Sequence, residues 1–70
     1  MSLAAAQRIL QEARQKLALA ESVTNDASNM VWAVHGHGYQ AAGMDELVVL
    51  LSSLVRALRS AQAKVDEVRE

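Results

Sequence analysis

The sequence predicts an all-α fold: an antiparallel two-helix hairpin that pairs into a four-helix bundle as a dimer. Three observations carry this expectation. The 70 residues contain no proline, and because an interior proline costs a helix roughly 3 kcal/mol, its absence fits two long helices. All three glycines, Gly36, Gly38 and Gly43, fall in one short stretch where the chain can turn. On either side of that stretch, apolar residues recur every third and fourth position without losing register.

In the first segment the recurrence runs Leu3, Ala6, Leu10, Ala13, Leu17, Ala20, Thr24, Ala27, Val31 and Val34. Alanine alternates with larger residues, so each alanine leaves a shallow hole for a partner's leucine, and two antiparallel helices can approach closely. A second row, Ile9, Val23 and Met30, lies beside this seam, interrupted by Lys16. The stripe is therefore wider than a two-stranded contact needs, as in a four-helix bundle. Arg8, Gln11, Glu12, Gln15 and Glu21 are expected on the solvated face, where Glu12 and Lys16 form an i,i+4 pair. Ser22-Val23-Thr24-Asn25-Asp26 is the weakest helical stretch, because such residues compete with the helix for backbone hydrogen bonds. The seam keeps its phase through it, which predicts one continuous helix.

The turn is marked by Gly36 and Gly38, since glycine is favoured just past a helix end where a left-handed residue is needed. The second segment carries Met44, Leu47, Leu51, Leu54, Leu58, Ala61, Val65 and Val68 in one register, flanked by Val48, Leu50 and Val55. A helix starting at Asp45 would be roughly 38 Å long against roughly 50 Å for the first, at 1.5 Å per residue. A start at Tyr39, with Gly43 inside the helix, nearly equalises the two. The expected boundaries are a helix over about 2–35, a turn over about 36–38 and a helix over about 39–69, one domain spanning 1–70.

Composition bounds the function. A chain of this size buries too little surface to stand alone without a staple or a partner. With no cysteine, disulfides and thiolate metal sites are excluded, and oligomerisation remains. A net charge of −1 supplies no concentrated basic face, so no nucleic-acid partner is expected. The Leu47–Leu58 run is broken by Ser52, Ser53 and Arg56 and is far short of the ~20 residues of a spanning helix, so no membrane span is expected. Met1-Ser2-Leu3 leads straight into Ala, Gln and Arg without the pattern of a secretory signal, which gives a cytoplasmic protein as made.

No nucleophile stands beside a base and no pocket is expected between Leu- and Ala-lined helices, so the protein is read as non-enzymatic, with no cofactor and no small-molecule substrate. His35 and His37 form an H-x-H pair, but a metal site needs three or four convergent ligands, and solvated or helix-capping histidines are the expectation. Gly36 and Gly38 follow helical residues rather than a strand, so no nucleotide site is expected. Trp32 and Tyr39, the chain's two aromatic residues, lie at the bend. Trp32 is read either as capping the hairpin end or lying in a dimer interface, or as a docking anchor for another protein. Expected interface residues are Ile9, Val23, Met30, Trp32, Tyr39, Val48, Leu50 and Val55.

A hairpin with Trp32 and Gly36 at its bend and Gly38-Tyr39-Gln40-Ala41-Ala42-Gly43 opening the second helix resembles the WXG-type proteins handled by type VII secretion systems. The resemblance covers the whole layout. It implies an actinobacterial or related source, a homodimer or a heterodimer with a similar hairpin, and a secreted adaptor or effector partner. The alternative is a cytoplasmic dimerisation or scaffold module unrelated to secretion.

Overall fold

The first helix starts where its sequence can satisfy the free backbone N–H groups of an N-terminus. Ser2 adopts an extended backbone and its hydroxyl accepts a hydrogen bond from the Ala5 amide at 3.1 Å. In the computed structural model, which describes residues 1–69, α1 then runs Leu3–Gly36 and α2 runs Met44–Arg69. Glu70, part of the expected domain, lies outside the described residues. α1 passes unbroken through Ser22–Asp26, as the preserved register predicted.

α1 ends on paired backbone bonds. The Tyr39 amide donates to the Val34 carbonyl at 3.3 Å and the Gly38 amide to the His35 carbonyl at 3.0 Å. With Gly38 at φ +83°, this is a Schellman turn, in which one left-handed residue lets the next amides satisfy the last free carbonyls of the helix.

The second helix begins later than expected, at Met44 rather than Tyr39. The reason is Gly43, which sits at φ +84°, outside the helical region, so it precedes the helix instead of lying inside it. Its carbonyl accepts the Leu47 amide at 2.9 Å and opens α2. Asp45 and Glu46 consequently occupy the first turn of α2, where their charges meet the positive end of the helix dipole. No atom lies within 4 Å of a Cβ placed on Gly43, so Gly43→Ala should act through backbone strain alone. The expected loss is about 1 kcal/mol, a fall of roughly 4–8 °C in melting temperature for a chain of this size. An unchanged thermal midpoint by circular dichroism would show that the turn does not require glycine at position 43.

Polar contacts place Gln7 beside Arg69 and His35 beside Asp45, so the helices run antiparallel along a body measuring 53 × 15 × 14 Å. The seam between them keeps one expected row of each helix and replaces the other. Its rows are Leu10, Leu17, Thr24 and Val31 with Arg14, Glu21, Ser28 and His35 on α1, against Leu51, Leu58 and Val65 with Val48, Val55 and Gln62 on α2. On each helix one expected row gives way to the row one residue later, which turns the seam by about 50°. Leu3, Ala27 and Val34, and on α2 Leu47, Leu54 and Val68, are consequently exposed rather than paired within the hairpin. Glu21, expected on the solvated face, lies at the seam.

Candidate interaction surface

The polar row of α1 recurs every seventh residue, and each of four members finds a partner across the seam. The Gln7 amide nitrogen donates to the Arg69 carbonyl at 2.8 Å. Arg14 donates from Nε to Asp66 Oδ1 at 3.0 Å and from Nη1 to Gln62 Oε1 at 2.6 Å. Glu21 accepts from Gln62 Nε2 at 2.7 Å and from Arg59 Nε at 3.1 Å. His35 Nε2 lies 3.2 Å from Asp45 Oδ1. Gln62, buried between the helices, thus has its oxygen occupied by Arg14 and its nitrogen by Glu21 and the Leu58 carbonyl. A buried amide so satisfied avoids the penalty of an unpaired polar group and sets the register.

These bonds shift the carboxylates. Hydrogen bonding from Arg59, then from Gln62, holds Glu21 below its ordinary pKa, and the Arg14 guanidinium does the same for Asp66. The Asp66 hydrogen bond raises Arg14 in turn. Because the folded chain binds these protons more weakly than the unfolded chain, their stabilisation is complete above the unfolded carboxylate range of about 4 and is lost as pH falls through and below it. The thermal midpoint is therefore expected to drop between pH 5 and about pH 3. In Glu21→Gln/Asp66→Asn the drop should be smaller; an equally steep decline would place the acid-sensitive groups elsewhere.

The rotation of the seam has sorted the two flanks. On one, Asn25, Asn29 and Trp32 of α1 meet Ser52, Arg56 and Arg59 of α2 across a shallow groove that continues past Arg14, Gln62 and Asp66. The indole of Trp32 stands edge-on to the His35 ring, with centroids 5.4 Å apart at 75°. In an antiparallel pair, residues flanking the seam on the other side of both helices share the opposite face. That face holds Ile9, Val23 and Met30 from α1 with Leu47, Leu50 and Leu54 from α2.

It is apolar and open. Met30 is 71% exposed, Val23 60%, Leu50 58% and Leu54 47%. By contrast, Val48 and Val55 are the only apolar side chains among the described residues that are buried, at 8% and 6%. Those two were expected to flank the seam as interface residues; they are its interior. Ile9, Val23, Met30 and Leu50 fall on the open face as the wide stripe suggested, whereas Trp32 lies on the polar flank and Tyr39 in the connection between the helices. Leu47 and Leu54 belong to the open face although the repeat assigned them to the seam. The seven-residue recurrence of polar Gln7, Arg14, Glu21, Ser28 and His35 is the signal that could have revealed this.

Among the described residues, no helix is long and apolar enough to cross a membrane, and no three His, Asp or Glu side chains come together as metal ligands would. The geometry defines a class, a small antiparallel helical hairpin with a polar, hydrogen-bonded seam and one broad apolar face. Comparison with protein-family models, curated proteins and solved structures finds no match.

Proposed function

We propose that the chain is a non-enzymatic protein–protein interaction module that completes its interior by pairing its open face with another helical hairpin, forming a four-helix bundle. The observation that carries this reading is the imbalance of surface. The chain exposes 5160 Å², against roughly 4,300 Å² for a compact monomer of its 7.6 kDa mass. The excess of about 900 Å² is close to the ~800 Å² that each partner contributes to a standard stable interface. Side chains of leucine and valine size gain about 1.5–3 kcal/mol each on full burial, so covering the face supplies what the thin seam lacks.

The narrower form of the proposal is a WXG-like substrate or adaptor of type VII secretion, exported after cytoplasmic synthesis. Trp32 near the end of α1 and Gly36 as its last residue support it. A neighbouring gene for a secretion ATPase and a second hairpin protein favours this form; a stand-alone gene favours the cytoplasmic scaffold. The common proposal is tested by solution mass at micromolar concentration, by sedimentation equilibrium, alone and with the product of a neighbouring hairpin gene. A mass of two hairpins is expected. A folded single chain under both conditions would end the proposal.

A further inference from the structure

We infer that the open face is covered by a second copy of this chain lying with its bend at the same end, related by a two-fold axis along the bundle. This rests on the pairing proposed above and concerns which copy binds and how it is oriented. Charge and side-chain size along the face carry the inference.

Met30 lies five residues before His35 and Leu50 five residues after Asp45; because His35 contacts Asp45, Met30 and Leu50 stand at the same level. Arg14 reaches both Gln62 and Asp66, so Lys64 stands level with it and, at 1.5 Å per residue, about 3 Å from the level of Lys16. The bend half of the face is therefore wholly apolar and the open half is edged by two lysines. Each lysine is joined to an acid on its own helix, Lys16 to Glu12 at 3.6 Å and Lys64 to Glu67 at 3.0 Å.

A rotation about the long axis keeps every residue at its level and lays α1 against α2 of the second copy. Met30 then meets Leu50, and Ala27 receives Leu54, a small residue against a large one. At each edge the Glu12–Lys16 pair of one copy meets the Lys64–Glu67 pair of the other, giving a balanced group of two acids and two bases. The head-to-tail alternative lays α1 on α1 and α2 on α2 about the level of Ala20. It sets Lys16 against Val23 and Lys64 against Leu54 of the second copy, twice over, covering four cations with apolar side chains. Desolvating each Lys–Glu pair against apolar side chains, with no second pair to balance it, is the costlier arrangement.

The chain has no cysteine, so Gln40→Cys in the exposed connection accepts a single nitroxide label. Dipolar electron resonance on the labelled protein, with its mass measured in parallel, separates the arrangements. With helix axes 8–10 Å apart, bends at the same end give a label separation below about 30 Å, which supports the inference. A separation of about 50 Å, near the full 53 Å length of the hairpin, overturns the orientation and leaves the pairing intact. A single-chain mass with no dipolar coupling overturns the choice of a second copy. If the chain is then also monomeric beside the neighbouring hairpin, the pairing itself falls.

Discussion

In the proposed pair, Leu54→Asp is expected to separate the two hairpins. Leu54 lies on the open face, away from the bonds that Arg14, Glu21, Gln62 and Asp66 make within the seam, so its replacement spares the interior of the single hairpin. In a symmetric pair the change is made twice. Losing about 1.5–3 kcal/mol of burial at each site weakens association by roughly 3–6 kcal/mol, a rise of about 10²- to 10⁴-fold in Kd. Sedimentation equilibrium should report a single-chain mass at micromolar concentration, with a melting temperature below the parent's, because the separated hairpin keeps only its thin seam. A variant that stays dimeric would show that the open face is not the interface. Leu50→Asp, one helical turn away on the same face, is the companion variant and should behave alike.

Leu51→Asp is expected to abolish the hairpin itself. Leu51 is half-buried in the seam between Val48 and Val55, where the carboxylate would lose its water. The lost burial and the desolvation of an unpaired charge together cost several kcal/mol. A chain this small has at most about 0.05–0.15 kcal/mol of stability per residue. The variant should therefore lose its helical signal at 25 °C. Retained helicity with an unchanged melting temperature would mean that the two helices meet along another face. The two variants differ by three positions in sequence, and their contrast measures directly which row of α2 faces its own partner helix.

Most of the architecture was legible from the residues. Proline's absence, the continuous apolar registers and the clustered glycines specify two helices and a bend, and the unbroken passage through Ser22–Asp26 follows from the preserved phase. Helix phase in the hairpin was not legible to the same degree. An apolar arc spanning three adjacent rows can be bisected in more than one way, and counting hydrophobic residues favours centring it on the seam. The hairpin instead turns each arc toward one side, because the row bearing Arg14 and Glu21 finds Arg59, Gln62 and Asp66 across the gap. The late start of α2 was missed for a related reason. Matching helix lengths argued for Tyr39, while the backbone at Gly43 takes a positive φ that no α-helix contains.

The sequence by itself determined that the chain is helical, where it bends and that it carries more apolar width than two helices can enclose, since these follow from local propensity and from a periodicity that any single helix displays. Only the tertiary structure decided which rows are enclosed and which stay open. That choice depends on hydrogen bonds between residues 38 to 62 positions apart, whose partners become neighbours only once the helices are laid side by side.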